Sequence, residues 1–184
     1  MGVVVPHVDT AAEARAAVDA CKYPPIGHRS MSGGFPHFDF APVPPAEAAR
    51  IHNDNLLLAV MLETPAAIEN AEAIAAVEGV DVLHIGTNDL LAEMGFHGQF
   101  DHPEVASAYE RVIAACQRHG KHAGLGGVRD LSLCERYLGM GFRFMTTNAD
   151  LAFLLSAASE RTRALRAAHA VSYTHLRAHE TRYD

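Results

Sequence analysis

Two acidic residues stand where a parallel α/β chain would present a reactive group. Glu63 follows the apolar run Leu56 to Leu62, and Asp89 follows Val80 to Ile85 with only Gly86-Thr87-Asn88 between. Each carboxylate is therefore predicted just beyond the C-terminal end of a strand, the edge at which parallel α/β folds bind ligands. The step from 63 to 89 is 26 residues, one β-α-β unit, so the two strands are expected to be neighbours and the carboxylates can converge. Two hard oxygen ligands in a shallow site leave other positions open for water and substrate, which suits Mg²⁺ or Mn²⁺ better than Zn²⁺. From position alone a plainer reading has equal standing: Glu63 and Asp89 cap the helices that follow them.

The elements that must hold these residues alternate strand with helix five times. Val3-Val4-Val5 reads as a buried strand, and Thr10 caps an Ala-rich helix behind it. Leu56 to Leu62 is the second strand. Thr64 then suits the N-cap and Pro65 the first helical position. Val80 to Ile85 is the third strand. His102-Pro103-Glu104 opens a helix to about Arg118, stopped by Gly120. His122 to Leu125 runs into Gly126-Gly127, Asp130 begins a helix reaching Leu138, and Phe142 to Thr146 is the fifth strand. Asp150 starts a last helix, Leu151 to about Ala168. Uniformly apolar strands joined by crossover helices predict a parallel sheet covered on both faces. Both an open doubly wound sheet and part of a (β/α)8 barrel satisfy that pattern. The segment Tyr23 to Pro45 is too long for a plain connector, so a functional or interface role is expected.

Composition removes several classes of function. The length of 184 residues suits one domain, and the net charge of −7 argues against nucleic acid or an anionic membrane as main partner. Cys21, Cys116 and Cys134 form no CxxC pair and leave one over, which points to a reducing, cytoplasmic setting. No apolar run approaches the length of a membrane span. The twelve histidines are scattered. His119 and His122 straddle Gly120 and form no helical metal face, so the histidines are read singly as surface or satisfied polar residues. Lys22 and Lys121 are the only lysines, and Lys121 precedes its strand at the rim away from the carboxylates. A Schiff-base mechanism is thereby disfavoured. Gly124-Leu125-Gly126-Gly127 lacks the spacing of a dinucleotide fingerprint and is expected to let backbone pass close to a ligand or loop.

Four stretches together resemble the HpcH/HpaI aldolase family: Leu62-Glu63-Thr64-Pro65, Glu78 through Leu90, Ala92-Glu93-Met94-Gly95, and Tyr23-Pro24-Pro25-Ile26-Gly27-His28-Arg29. The similarity runs from roughly Val3 to Ala168. It implies a partial (β/α)8 TIM barrel of about five βα units. It also implies that Glu63 and Asp89 bind the divalent metal, Mg²⁺ or Mn²⁺ with Co²⁺ as a third candidate, and that backbone N–H groups of Gly86, Thr87 and Asn88 hold the substrate carboxylate. The implied reaction cleaves or forms a carbon–carbon bond of a 4-hydroxy-2-oxo acid through a pyruvate enolate. Met61 stands where many members carry Gln, and Thr87 where Pro is common.

The family's catalytic histidine and substrate-binding arginine fall on strands before this chain begins. His28 and Arg29, in the long segment, are expected to be structural or at an interface, and Arg143 sits at the wrong end of its strand. Residues 1–170 are therefore expected to be the C-terminal portion of one aldolase barrel, inactive by itself. Val171 to Asp184 shares no pattern with what precedes it. It resembles translated sequencing-adapter read-through and is expected to be a non-native tail. Leu151, Phe153, Leu154 and Leu155 give the last helix more apolar surface than one buried face requires, and the resemblance implies a homo-oligomer. Two alternatives remain at this level: an acyl-CoA lyase of the citrate lyase β-like group, and a non-catalytic ligand-binding α/β module.

Overall fold

The computed structural model describes residues 1–32 and 35–180, with residues 169–180 described by backbone alone. Its first compact unit, Met1–Thr147, contains a sheet of five strands: β1 Gly2–Val5, β2 Leu57–Leu62, β3 Val82–Gly86, β4 His122–Gly126 and β5 Phe144–Thr146. Every neighbouring pair is parallel, and the order is β1-β2-β3-β4-β5. That order decides between the two predicted closures. A doubly wound sheet reverses direction at a switch point, whereas strands that add one after another on the same side build a barrel wall. The sheet is a half-barrel.

The period-2 alternation of the strands sorts side chains between two faces. Leu58, Val60 and Leu62 of β2, Leu83 and Ile85 of β3, and Leu125 of β4 are fully buried in the core that the helices cover. Tyr109 and Cys116 of α6 (Pro103–Arg118), Tyr137 of α7 (Leu131–Met140) and Phe142 complete it, with the Tyr109 ring edge-on to Tyr137 at 4.9 Å and to Phe142 at 5.3 Å. Burial of this apolar layer, at roughly 25 cal/mol per Å², is what holds the helices to the sheet.

The helix starts follow the local chemistry of the sequence. Thr10 and Glu13 form a reciprocal capping box at α1 (Ala11–Cys21). Thr64 accepts from the Ala67 N–H at α3 (Pro65–Glu69), and Asp130 accepts from the Leu133 N–H at α7. Two differences from the expected elements have simple causes. The helix after Pro65 is broken at Asn70, and α4 (Ala71–Ala75) resumes beyond it. The long segment carries a short 3₁₀ turn, Pro36–Phe38, and runs into α2 (Pro45–Asn55), which the apolar pattern did not announce. Only Ala48, Ala49 and His52 of α2 are buried, so it shows no stripe of large apolar residues.

A second compact unit begins at Asn148 and contains α8, Asp150–Glu180. Leu151, Phe153, Leu154 and Leu155 are all exposed. The α8 backbone continues past the expected end near Ala168. The side chains of Val171 to Glu180, and residues 181–184 altogether, lie outside the described residues, so the expected tail falls largely there.

On the opposite face of the sheet, Met61, His84 and Gly124 align across β2, β3 and β4. His84 is only 2% exposed, and its Nδ1 finds no hydrogen-bond partner among the described residues. Its Nε2 meets the Thr146 hydroxyl at 3.4 Å, so it is a buried, half-satisfied histidine where the scattered pattern suggested a surface or satisfied one. Burial holds its pKa below the usual imidazole value. Its ring needs both glycines of β4: a Cβ on Gly124 would stand 2.7 Å from Nδ1, and one on Gly126 2.7 Å from Nε2. Gly124→Ala is expected to lower the unfolding free energy by about 1–3 kcal/mol, the usual cost of overpacking a full site. Urea denaturation at unchanged m-value reads the effect.

Candidate metal centre

β2 and β3 pair so that Leu62 lies opposite Ile85, which brings the residues just beyond them, Glu63 and Gly86, side by side. Glu63 is 4% exposed, so the site is less shallow than its position at a strand end suggests. Gly86 is what admits it. A Cβ there would stand 2.7 Å from both Cγ and Oε1 of Glu63. Asp89 lies in the first turn of α5 (Thr87–Glu93) and is exposed. The backbone N–H of His7 donates to Glu63 Oε2 at 3.0 Å, and His7 Nδ1 stands 3.0 Å from the same oxygen.

Burial pushes the Glu63 pKa up, the His7 N–H pulls it down, and the neighbouring Asp89 carboxylate pushes it up again. The Asp89 carboxylate is thus close enough to oppose the ionisation of Glu63. The capping alternative fails for Glu63, because Thr64 supplies the α3 cap and the Glu63 carboxylate is turned to His7.

Gly86, Thr87 and Asn88, expected as a turn, are instead the end of β3 and the first two residues of α5. The Thr87 hydroxyl is fully buried and pairs with the Tyr109 hydroxyl at 2.9 Å, so its side chain serves the core. The Thr87 side chain is thereby withdrawn from any ligand, whereas Asn88 is exposed. Asn88 packs against the left-handed Gly127 (φ +88°), where a Cβ would lie 3.0 Å from Asn88 Nδ2. That contact joins the β4–α7 loop to the start of α5.

The other residues considered from sequence lie elsewhere. His28 pairs with Asp19, and the Arg29 guanidinium sits 5.0 Å from the Tyr23 ring centroid. Lys22 Nζ donates to the Asn53 and Leu56 carbonyls, and Lys121 Nζ to the Val80 carbonyl, all at the N-terminal side of the strands. Arg143 is bonded to the Leu138 and Phe142 carbonyls, and His119 to Glu72. The residue that sequence reasoning missed is His7. It follows β1, and nothing in its local sequence signals a contact with an acid 56 residues on.

The donor set fits a hard divalent cation. Two carboxylates converge beside a glycine cradle, and among the described residues no group of three or more His, Cys, Asp or Glu forms a closed cage. An open two-carboxylate site completed by water and substrate oxygens is the Mg²⁺ or Mn²⁺ pattern.

The comparisons with known proteins agree with the half-barrel. The model of the HpcH/HpaI aldolase/citrate lyase family matches residues 1–157, and the chain belongs to that family. It is 49% identical over 129 residues to 4-hydroxy-4-methyl-2-oxoglutarate aldolase tasA of Hapsidospora irregularis, covering 70% of this chain and 48% of that protein. It is 43% identical over 161 residues to 4-hydroxy-4-methyl-2-oxoglutarate aldolase cghB of Chaetomium globosum, covering 86% of this chain and 60% of that protein. The solved HpcH/HpaI aldolase of Desulfitobacterium hafniense superposes with a TM-score of 0.81 at 31% identity, over 90% of this chain and 63% of that one. The chain thus spans about half to three fifths of these relatives' length.

The raised Glu63 pKa makes a stability prediction for the metal-free protein. Below the ordinary carboxylate pKa the acid is protonated both folded and unfolded, and no penalty applies. As pH rises through the folded pKa, the buried charge weakens the fold. In EDTA, Glu63→Gln is therefore expected to be more stable than the parent at pH 7, with the difference shrinking as pH falls towards 4. Urea denaturation across that range measures it. A difference independent of pH would contradict the assigned cause.

Proposed function

We propose that this chain is the metal- and carboxylate-binding part of a class II aldolase, which cleaves or forms a carbon–carbon bond of a 4-hydroxy-2-oxo acid with pyruvate as the enolate partner. The observation that supports it is the convergence of Glu63 and Asp89 beside Gly86. The names of the two relatives, both 4-hydroxy-4-methyl-2-oxoglutarate aldolases, support the substrate class. A divalent cation, when bound, would supply Lewis-acid stabilisation of the negative charge that develops on the keto oxygen.

The chain's own residues have distinct tasks in this reading. Glu63 and Asp89 hold the cation, and the loss of their mutual repulsion is part of the binding energy. The N–H groups at the start of α5, from Gly86 to Asn88, bind the substrate carboxylate. Tyr109 fixes that helix start through the Thr87 hydroxyl. Met61, in place of an amide side chain, leaves the keto acid without one polar neighbour. A reducing compartment is proposed on the three unpaired cysteines, of which Cys116 and Cys134 are buried. No helix among the described residues is long and apolar enough to cross a membrane.

Glu63→Gln and Asp89→Asn, made in a longer protein that carries this chain, are each expected to lower kcat/KM for pyruvate release by about 10³-fold or more, with the far-ultraviolet spectrum kept. Pyruvate release with added Mn²⁺ tests it, and full activity in either variant would sink the assignment. Assembly is a separate proposal. The exposed Leu151, Phe153, Leu154 and Leu155 of α8 form an apolar surface suited to a second copy. The longer protein is expected to be a homo-oligomer by light scattering at micromolar concentration, and a clean monomer would count against it.

A further inference from the structure

We infer that His7 is a positioning residue for the cation site: it tethers one oxygen of Glu63 and leaves the other free to ligate. The inference rests on the metal-binding reading of Glu63 and Asp89 given above.

His7 stands at the end of β1 with φ +52°, in the left-handed region. That conformation is unfavourable for a residue with a side chain, although His, Asn and Asp enter it more readily than most. Three hydrogen bonds hold it there. The Val8 N–H donates to the Met61 carbonyl at 3.0 Å, Thr64 Oγ1 donates to Asp9 Oδ1 at 2.7 Å, and Asn70 Nδ2 donates to the Asp9 carbonyl at 2.8 Å. Met61 and Thr64 flank Glu63, so the turn after β1 is fastened to the chain on either side of the carboxylate.

The left-handed turn brings two groups of one residue to one oxygen, the backbone N–H as a hydrogen-bond donor and the imidazole Nδ1 as a contact at ion-pair distance. The His7 N–H and Nδ1 each lie 3.0 Å from Glu63 Oε2. Oε1 lies instead against Gly86. Oε2 is thus the oxygen that His7 meets, and Oε1 the one that faces Gly86. Packing does not account for the imidazole, whose side chain is 74% exposed while that of Glu63 is 6% exposed. An exposed ring gains little from contact area, so its place on a buried carboxylate reflects the polar contact itself. Outer partners of this kind orient metal-binding carboxylates, and removing them weakens affinity.

The test is Mn²⁺ affinity of the 184-residue chain, read from the electron paramagnetic resonance signal of the free ion. His7→Ala is expected to weaken binding by about 10- to 100-fold. His7→Asn should stay within about threefold of the parent, because its Nδ2 takes the place of Nδ1 and asparagine tolerates the left-handed turn. His7→Gln, with its donor one bond further out, should remain weak. His7→Gly keeps the turn without strain and should also bind weakly, which covers the case in which His7→Ala fails to fold. Parental affinity in His7→Ala or His7→Gly, or no recovery in a folded His7→Asn, overturns the inference. Glu63→Gln separates it from the underlying reading. Loss of binding there with indifference to His7 removes only the role of His7. Unchanged binding in Glu63→Gln, or no binding by the unsubstituted chain, removes both.

Discussion

A carboxylate that is almost wholly removed from water needs a reason to be there, and Glu63 is in that position beside a second acid. Its side chain can enter only because Gly86 has no Cβ, and Gly86 is opposite it only because β2 and β3 pair in one register. Slipping that register by one residue would turn every side chain of β3 to the other face. Leu83 and Ile85 would leave the apolar core, and His84 would enter it. The burial of the outer layer therefore fixes the register, and the register fixes the site.

The inner face is governed by small residues to the same degree that the outer face is governed by large ones. Gly124 and Gly126 leave room for the His84 ring, and Gly86 leaves room for Glu63. These glycines lie next to a polar side chain rather than at turns. The half-barrel thus places His84 and Glu63 on one surface of the sheet, while Leu58, Val60, Leu62, Leu83, Ile85 and Leu125 keep the helix-facing side of the strands apolar. Tyr109 links the two: it packs edge-on to Tyr137 and Phe142 in the core and hydrogen-bonds Thr87 at the start of α5.

The turn after β1 has a similar double attachment. Val8 is buried in the core, and the residue before it is bonded to Glu63. Asp9 is fastened to Thr64 and Asn70 at the start and end of α3. Strain at His7 persists because its surroundings over-determine it. Such an arrangement sets the direction of a carboxylate before any ligand arrives.

Much of this protein could be read from sequence because it depends on local rules. Five apolar runs became five strands, Thr10, Thr64 and Asp130 capped their helices, and Glu63 and Asp89 fell at strand ends one β-α-β unit apart. Short-range chemistry sufficed for each of these, since a cap or an alternating strand is decided within a few residues. Tertiary structure decided the rest. The choice of a barrel wall over a doubly wound sheet lies in strand order, which periodicity does not encode. α2 buries alanines and one histidine, so it lacked the stripe by which a helix is recognised. His84 became an inner-face residue only when β4 offered it two glycines. His7 met Glu63 across 56 residues because parallel pairing of β1 with β2 brings their C-terminal ends together, a contact that no window of sequence contains.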